Sequence, residues 1–561
     1  MLKKTVETLR LETLLLGAIG VAVLIRVCYV GVRELWYDEA LSLLLSTGQK
    51  TSYLTPPNHP VALADYTQLL GLPPLSNLTA SLHLLKPLLQ GIVGQEPHPP
   101  LFFLAQYVWL FVTGTAEGSL RSLNLLLSLV AMVAAFGMGR ALLGYRAGLL
   151  MAALLGLNPF FWFHSLNMRM YAPTVMWVAL SGWATLALYD PCDRLPRRQR
   201  WLWAIVLTAA IVGGLMTFYL YALWLMALGV LALITLDPQR PWLIRCRRGW
   251  WQYGLCLAIG IVIVSPWYAW GLPQQLRNAD LDRFASSPTL LNGILQHVKG
   301  ILEVIGIQLG LGDWVTSLPA FMPIVVGLVL GLLLAGMVVQ LFYKGQLQLA
   351  SIALILGVLP LLLALGMDLV SGRATLAWGY GRSVIFILPG LLLLATVWMM
   401  QLPPKWQRSV IAFCLLVYLV IDLGDMAGRE RQVFRQVSQE IQTAPEPTLL
   451  VMNSEAWGHV CRLAYYVPSE ASVDLLAVSP AELPGTLKTV LSASATTPYA
   501  RVLWLEAHDP LWNQPETAAE TNQIRQSVTS TLAKNYAPTA QQELTGTMSL
   551  DRFSLTAYER L

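Results

Sequence analysis

Long hydrophobic runs, separated by short polar segments, dominate the first 425 residues of the chain. Several of these runs are about 20 residues long, and a helix of that length crosses a hydrocarbon core of ~30 Å. The pattern therefore predicts an α-helical polytopic membrane protein with about eleven transmembrane helices. The predicted spans are residues 12–32, 119–142, 147–165, 172–189, 200–217, 219–236, 250–270, 319–343, 348–368, 383–400 and 408–425.

The segment between the first two spans, about residues 33–118, is a long loop on the external side. Its strongest apolar run, Leu101–Val112, has about 12 residues, which is short for a crossing and typical of an interfacial or re-entrant helix. Prolines recur through the loop between its other apolar pieces. This composition predicts short helices that lie on the membrane surface and are broken by turns.

The chain becomes much more polar from about residue 430 and contains short strand-like runs. These runs are Thr448–Met452, Arg462–Val467 and Arg501–Leu505. The segment Thr517–Tyr536 is helical in pattern, and Leu544–Leu561 alternates like one or two closing strands. We therefore expect a transmembrane domain over residues 1–429 and a small external α/β domain over residues 430–561.

Composition supports the membrane assignment and excludes other classes of protein. Of the 561 residues, 55% are hydrophobic and 12% are charged, and the mean hydropathy is +0.56, whereas a soluble domain carries about 25% charged residues. The net charge of +5 does not indicate nucleic-acid binding, because the Arg and Lys residues lie in short loops between apolar runs. The six cysteines are scattered and show neither a disulfide framework nor the spacing of a metal site.

The basic residues also predict the orientation in the membrane. If the N-terminus is cytoplasmic, nearly every basic cluster falls on the cytoplasmic side, as the positive-inside rule requires. The clustered residues are Lys3, Lys4, Arg140, Arg146, Arg194, Arg197, Arg198, Arg200, Arg240, Arg245, Arg247, Arg248, Lys344, Lys405 and Arg408. We expect a multi-pass protein of the plasma (inner) membrane, with the first loop, the stretches 271–318 and 369–382, and the C-terminal domain on the external side.

Two adjacent carboxylates, Asp38 and Glu39, follow Trp36-Tyr37 at the outer end of the first span. A charged side chain near the bilayer costs a few kcal/mol, so it usually has an interaction partner or a functional role. One interpretation is an interfacial aromatic belt followed by two solvated acids. The other is a carboxylate base, or an anionic clamp for a polar substrate, at the membrane face.

The segment Glu96-Pro-His98-Pro-Pro-Leu101 opens the short interfacial helix. Prolines fit the first helical turn, and a helix N-terminus offers free N–H groups and a positive dipole end to a phosphate. His98 could donate a hydrogen bond to that phosphate. The alternative is a proline-rich loop that carries a surface histidine.

Arginines occur on the external side, where the positive-inside rule makes them uncommon. Arg169 follows His164 between two spans, and Arg382 begins another span near Arg373. Each arginine alone is compatible with a side chain that snorkels to lipid headgroups. Arg169 could also lie near the Asp38-Glu39 pair, and together the arginines could bind a lipid phosphate.

These segments, in this order, resemble the GT-C glycosyltransferases. The resemblance is to the branch that contains protein O-mannosyltransferases, bacterial aminoarabinose transferases and related dolichyl-phosphate-mannose-type enzymes. The residues that carry it are Trp36-Tyr-Asp-Glu-Ala40, His98-Pro-Pro-Leu101, Ala116-Glu-Gly-Ser-Leu-Arg121, Asn158-Pro-Phe, Arg169-Met-Tyr171 and Arg382–Pro389.

The resemblance implies transfer of a sugar from a polyprenyl-phosphate carrier to an acceptor on the external face. It implies that Asp38 is the base or orients the acceptor, and that Glu39 supports it. His98 would lie at the carrier phosphate, and Arg169 with Tyr171 would line the same cavity. Arg382 would be a second phosphate contact.

No metal ligand is predicted, because Pro97 occupies the position directly before His98-Pro-Pro at which some relatives carry an acid, and Glu96 lies one residue earlier. A divalent cation is left open. The expected partners are membrane lipids, the lipid-phosphate sugar donor and an acceptor that is a protein, a lipid or a glycan. The rival functions are a lipid or glycolipid transporter or flippase, although no internal repeat supports it, and an inactive glycolipid-binding relative.

Overall fold

The structure is a computed structural model and describes the whole chain except Met1 and residues 74–77, 189–195, 234–247, 279–283, 287–289, 377, 429–431, 444–445, 493–498, 512–513, 516 and 547–549. The helices are α1 Leu2–Tyr29, α2 Tyr37–Ser46, α3 Leu63–Leu69, α4 Leu78–Gln95, α5 Leu101–Thr113, α6 Glu117–Leu143, α7 Tyr145–Leu157, α8 Pro159–Ser165, α9 Tyr171–Leu188, α10 Arg197–Leu215, α11 Tyr221–Leu233, α12 Arg248–Asn278, α13 Leu290–Gly306, α14 Met322–Tyr343, α15 Leu347–Gly357, α16 Leu359–Ser371, α17 Leu388–Met400, α18 Pro404–Gly428, α19 Val433–Thr443, α20 Trp457–Tyr466, α21 Leu483–Ser492 and α22 Ala518–Leu532. The strands are β1 Val61–Ala62, β2 Thr448–Met452, β3 Val473–Ala477, β4 Arg501–Ala507, β5 Tyr536–Thr545 and β6 Arg552–Arg560.

The predicted fold class is confirmed: the protein is a polytopic α-helical membrane protein with a small C-terminal sheet. Among the described residues, nine helical segments are long and apolar enough to cross a bilayer. The count is ten if α7 and α8, which meet at an angle of 65°, form one bent span. The bend has a local cause, since Asn158 caps α8 through its Oδ1, which accepts the Phe161 N–H at 2.9 Å, and Pro159 follows it.

The predicted spans and the observed helices differ at three places. Helices α10 and α11 exist, but α10 begins with basic residues and α11 has only 13 residues, so neither alone is a span by length and composition. The stretch 271–318, predicted as an external loop, instead contains α13 and a segment, Leu291–Ser317, that is long and apolar enough to cross. The loop prediction was wrong because the apolar residues of α13 recur at helical spacing rather than in one continuous run.

The long segment between the first two spans contains short helices, as predicted. Its described residues form helices α2 to α5, and α5, which was predicted to be interfacial, ends at Thr113 after 13 residues. The predicted cytoplasmic residues Arg194, Arg240, Arg245 and Arg247 lie outside the described residues.

The chain divides into two compact units. The first contains Met1–Val30, Ile92–Ala105 and Arg121–Ala427, and the second contains Gly31–Gly91, Gln106–Leu120 and Gly428–Leu561. The second unit thus combines the C-terminal region with parts of the loop between the first two predicted spans. The domains predicted for residues 1–429 and 430–561 stay a prediction.

The second unit is built on one six-stranded sheet of order β1-β3-β2-β4-β6-β5. Strands β3, β2 and β4 are parallel, β6 and β5 extend the sheet antiparallel, and β1 pairs antiparallel with β3. Helices α21 and α22 pack on the face of the sheet that carries Val451 and Trp504, while α19 packs with α20. Side chains alternate between the two faces of a strand, so both faces of β2 are buried.

The predicted strands at 448–452 and 501–505 and the helix within 517–536 are confirmed as β2, β4 and α22. The predicted strand Arg462–Val467 was wrong, because its residues up to Tyr466 form the end of helix α20 and Val467 follows the helix. Short apolar runs do not distinguish a strand from a buried helix by periodicity alone. The buried residues Val460, Leu463 and Ala464 follow the spacing of one helix face.

Candidate functional site

A buried ion pair joins Glu96, in the loop between α4 and α5, to Arg169, which precedes α9. Arg169 Nη1 lies 3.2 Å from Glu96 Oε2 and Nη2 lies 3.3 Å from Oε1, so the guanidinium binds the carboxylate through two parallel contacts. The side chain of Glu96 is fully buried and that of Arg169 is 5% exposed. Within the first unit, Arg169 therefore binds Glu96. The sequence analysis had suggested Asp38 and Glu39, but not Glu96, as acids near Arg169.

His98 contacts the same carboxylate through Nδ1, which lies against Glu96 Oε1. Burial acts to raise the pKa of Glu96, but the charge of Arg169 and the contact with His98 outweigh burial and hold that pKa to about 2. An ionised carboxylate only accepts hydrogen bonds, so His98 carries a proton on Nδ1. The imidazole also stacks on Phe218, with 5.4 Å between the ring centroids.

The charge state of His98 is set by opposing neighbours. Burial lowers the pKa of His98, Glu96 acts to raise it, and Arg169 and Arg382 lower it further, with a net decrease. The neutral ring is thus favoured, and its Nε2 is an acceptor. An anion beside the ring would offset the two arginines and favour the imidazolium, because an opposite charge stabilises the charged form.

The loop that carries Glu96 and His98 is held by helix α12. Gln275 Nε2 donates to the carbonyl oxygens of Glu96 at 2.5 Å and His98 at 2.9 Å. Tyr219 donates its hydroxyl to Gln275 Oε1, and Trp267 Nε1 donates to the Tyr219 hydroxyl at 2.9 Å. This chain of hydrogen bonds orients the amide of Gln275, so the loop geometry does not depend on the loop alone.

Arg382 follows a backbone turn with three consecutive residues at positive φ. Gly379, Tyr380 and Gly381 have φ values of 58°, 59° and 78°. Tyr380 is the one residue of this turn that is not a glycine, so its positive φ is unfavourable. Such a conformation costs on the order of 1–3 kcal/mol, and it often occurs at functional sites. Gln308 Nε2 supports the turn by donating to the Gly381 carbonyl at 2.9 Å.

The side chain of Arg382 is half-buried, and its guanidinium carbon lies 4.8 Å from the centroid of the Trp378 ring. Burial lowers the pKa of His98 most, and the positive charge of Arg382 adds to that decrease. Arg373, also half-buried, donates its backbone N–H to the Asp368 carbonyl at 3.0 Å. The predicted helix from residue 383 begins with a 3₁₀ turn, Arg382–Ile387, before α17.

Tyr171 begins α9, two residues after Arg169. Its side chain is buried and meets His164 edge to face, with ring centroids 4.8 Å apart. The structure therefore places Tyr171 in aromatic packing, and its predicted contact with substrate stays a prediction.

Asp38 and Glu39 lie in the first turn of α2, in the second unit, and differ in environment. Glu39 is fully buried, and its Oε2 accepts the backbone N–H of Trp36 at 2.7 Å. Glu39 thus caps the helix N-terminus, where an acid also interacts favourably with the helix dipole. Asp38, on the same turn, is half-buried. The two carboxylates therefore differ in their contacts, and the catalytic roles predicted for Asp38 and Glu39 stay predictions.

The backbone that leads to Asp38 is held by residues from the C-terminal part of the chain. The Arg435 N–H donates to Glu34 Oε1 at 2.5 Å, and Arg435 Nη1 donates to the Val32 carbonyl at 2.8 Å. The Leu35 N–H donates to the hydroxyl of Tyr466 at 2.7 Å. Burial raises the pKa of Glu34 to about 7, despite the opposing contacts of Arg435.

The aromatic ring of Tyr37 packs into the N-terminal turn of α20. Its centroid lies 4.4 Å from that of Trp457 and 5.6 Å from that of His459. Gly458 lies directly against the ring, since a Cβ at this position would be 2.4 Å from a ring carbon. Sequence reasoning missed this contact, because no local motif links positions 37 and 458.

No group of three or more His, Cys, Asp or Glu side chains that could hold a metal ion occurs among the described residues. The motif Glu96-Pro-His98 contains two members of the ion-pair cluster, but it does not reveal that Glu96 binds an arginine. Its partner Arg169 and the loop support by Gln275 come from distant segments.

Residues 97–270 match the family described as dolichyl-phosphate-mannose-protein mannosyltransferase. The match covers less than a third of the chain and includes His98, Arg169 and Tyr171. It confirms the predicted resemblance to mannosyltransferase-like proteins over this stretch. No curated protein matches the chain.

Among solved structures, the oligosaccharyltransferase of Archaeoglobus fulgidus, in a complex with Zn and sulfate, is 11% identical, with 95% of this chain and 72% of that chain covered and a TM-score of 0.46. ArnT from Cupriavidus metallidurans, bound to undecaprenyl phosphate, is 14% identical, with 97% of each chain covered and a TM-score of 0.39. The archaeal oligosaccharyltransferase AglB from Archaeoglobus fulgidus, with an inhibitory peptide and a dolichol-phosphate, is 11% identical, covers 87% of this chain and 69% of that chain, and has a TM-score of 0.41.

Proposed function

We propose that this protein is a membrane glycosyltransferase of the GT-C type that moves a sugar from a polyprenyl-phosphate donor to an acceptor on the extracytoplasmic face. The observation that carries the proposal is the cluster of His98 and Arg169 around Glu96, with the charge of Arg382 acting on His98. A buried cationic cluster at an external loop is suited to a lipid phosphate. The family match over residues 97–270 supports a phosphate-linked sugar donor.

The proposed reaction breaks the bond between the sugar C1 and the phosphate oxygen and forms a bond between C1 and an acceptor oxygen or nitrogen. The electron pair of the broken bond stays on the phosphate, whose charge grows from about −1 to −2. Arg169, Arg382 and protonated His98 stabilise that growing charge, and each well-placed donor is worth ~3 kcal/mol. The acceptor proton goes to Asp38, which the sequence resemblance assigns as the base.

Glu96 has a positioning role in this proposal. Its carboxylate orients the Arg169 guanidinium and the Nδ1–H of His98, which directs the remaining ring nitrogen, Nε2, to the donor phosphate. Together Arg169, Arg382 and Glu96 carry a formal charge of +1, so the site attracts a monoanionic donor. His98 takes a proton from solvent when the anionic donor binds, and this second positive charge is in place before the phosphate becomes a dianion.

The proposed orientation has a cytoplasmic N-terminus and an external C-terminal domain in the plasma (inner) membrane. It rests on the distribution of basic residues between the spans. An impermeant maleimide, added outside cells to a cysteine-free variant with Leu54→Cys, tests it, because Leu54 is 75% exposed in the first external loop. Labelling only after the membrane is opened would reverse the orientation.

The direct test of function is transfer of radiolabel from a polyprenyl-phosphate sugar to an acceptor by the full-length protein. We expect Arg382→Ala to raise the donor KM about tenfold or more, because a charge-assisted contact to phosphate is worth ~1.5–3 kcal/mol. Arg373→Ala is the matched control, since Arg373 is also half-buried in the segment before α17. An unchanged donor KM in the Arg382→Ala variant would remove Arg382 from the phosphate site.

The same assay separates the rival functions. Movement of the lipid across a vesicle bilayer without transfer of the sugar would support a transporter or flippase. Donor binding with neither transfer nor movement would support an inactive glycolipid-binding relative. Either result would overturn the proposed enzyme.

A separate prediction concerns the contact between Gly458 and Tyr37. We expect Gly458→Ala to lower kcat about 100-fold with little change in donor KM, because the added Cβ would displace the ring next to Asp38 and a shift of ~1 Å can cost that much. Gly485→Ala, in helix α21, has no atom within 4 Å of the new Cβ and is the control. A purely structural role for Gly458 predicts lower thermal stability with unchanged kcat in the folded fraction, which would contradict the positioning role.

A further inference from the structure

A polar cleft of about 140 Å³ lies at the carboxyl-terminal edge of the C-terminal sheet. Its lining includes Asn453, directly after β2, and His508 and Asp509, directly after β4. Thr521 contributes from α22, which packs over this part of the sheet. All of these residues belong to the second unit.

The cleft coincides with the point at which the order of the parallel strands reverses. From β2 the chain passes through α20 to β3 on one side, and then through α21 to β4 on the other side of β2. The loops that leave β2 and β4 therefore run in opposite directions and leave a crevice between them. Open α/β sheets bind their ligands outside the carboxyl ends of the strands at such a switch point.

The shape of the crevice is held by hydrogen bonds between the two strand ends. Asn453 Nδ2 donates to the Ala507 carbonyl at 3.0 Å, and Asn453 Oδ1 accepts the Ala507 N–H at 2.7 Å. Glu506 is buried, and both of its carboxylate oxygens lie 2.8 Å from Arg525 Nε. The base of the cleft is therefore pre-formed, which lowers the entropic cost of binding a ligand.

The charges of the lining indicate the class of ligand. Glu506 is already paired with Arg525, and the described lining adds the carboxylate of Asp509 but no Lys or Arg side chain, so the cleft is unsuited to a phosphate. Carboxylate, amide and hydroxyl groups are suited to the hydroxyls of a neutral ligand, and Trp504 with the neighbouring prolines adds apolar surface. The volume corresponds to roughly ten water-sized positions, which suits one sugar ring.

We propose that this cleft binds one neutral sugar unit. The site is distinct from the ion-pair cluster of the first unit and stands whether or not the chain transfers a sugar. The sugar could be a free monosaccharide or one residue of a glycan, because both present the same hydroxyl pattern. The two sources differ at the anomeric carbon, which is substituted only in a glycan.

Saturation-transfer NMR on the full-length protein in nanodiscs tests the proposal, with methyl α-mannoside, methyl β-galactoside, mannose, galactose and inorganic phosphate as the probes. We expect at least one neutral sugar to bind with a Kd on the order of 1 mM. Thr521→Trp, which fills the cleft from α22, should weaken that binding about tenfold or more. Gln526→Trp, on an exposed position of the same helix, is the control and should leave binding unchanged.

The outcomes are separable. Equal binding of a methyl glycoside and its free sugar indicates a residue within a glycan, and selective binding of the free sugar indicates a monosaccharide site. Binding of phosphate alone, no binding of any sugar, or equal binding by the Thr521→Trp variant and the unmodified protein would overturn the proposal. A loss of transfer activity without loss of sugar binding would concern only the function proposed for the first unit.

Discussion

Replacing Asp38 with asparagine is expected to lower the rate of sugar transfer by about 10²–10⁴-fold, the range that a positioned general base contributes. The amide has the size of the carboxylate but does not accept the acceptor proton. The first turn of α2 should stay intact, because the cap is supplied by Glu39 and not by Asp38. Donor binding should also change little, since the proposed phosphate contacts are other residues.

Asp65→Asn is the matched control for this prediction, because Asp65 also lies in the first turn of a short helix of the first loop and is exposed. The measurement is kcat and donor KM in the radiolabel assay, together with thermal stability in detergent. Normal turnover by the Asp38→Asn variant would eliminate Asp38 as the base. Asp38→Glu should recover part of the activity if a carboxylate in this turn is what the reaction requires.

The membrane fold was predictable because the length of a continuous apolar run shows directly whether it can cross the bilayer. Helix α13 was missed because its apolar residues lie on one face of the helix and are separated by polar residues in the sequence. It therefore lacks a continuous apolar run that would predict a crossing. The bend between α7 and α8 was missed although Asn158-Pro159 is a recognisable stop and start signal. The strand predicted at Arg462–Val467 was wrong because a short apolar run does not distinguish a strand from a buried helix, and the helical spacing becomes visible only when the run is extended back to Val460.

The candidate sites were predictable only in part. His98 and Arg169 were singled out from the sequence as separate phosphate ligands, and the structure joins them through a third residue, Glu96, whose role the motif did not reveal. Likewise, the sequence suggests that the adjacent acids Asp38 and Glu39 act together. In the structure, Glu39 caps the N-terminus of α2. Glu96 and Arg169 are 73 residues apart in the sequence. Contacts between such distant residues depend on how the helices pack, and a single sequence does not show that packing.

Glu96→Gln should have the largest effect on the stability of the first unit. The substitution removes the negative charge from between Arg169 and His98 and leaves a buried guanidinium without its counter-charge, which costs about 3–5 kcal/mol. Donor KM should rise as well, because the neutral amide no longer orients both cations. Since the lost carboxylate opposed the effect of burial on His98, the pKa of His98 should fall further in the variant.

The dependence on pH follows from the lowered pKa of Glu96. A carboxylate whose pKa is about 2 in the folded protein and 4.5 in the unfolded chain contributes its stabilisation above pH 4.5 and loses it as the pH falls towards 2. The difference in thermal stability between Glu96→Gln and the unmodified protein should therefore be constant near neutral pH and shrink below pH 4.5. Glu12→Gln is the control, because Glu12 pairs with Arg146 at 2.9 Å in a partly exposed site, where such pairs contribute about 0–1 kcal/mol. If the two variants lose equal stability at neutral pH, the cluster around Glu96 does not have the electrostatic role on which the phosphate site depends.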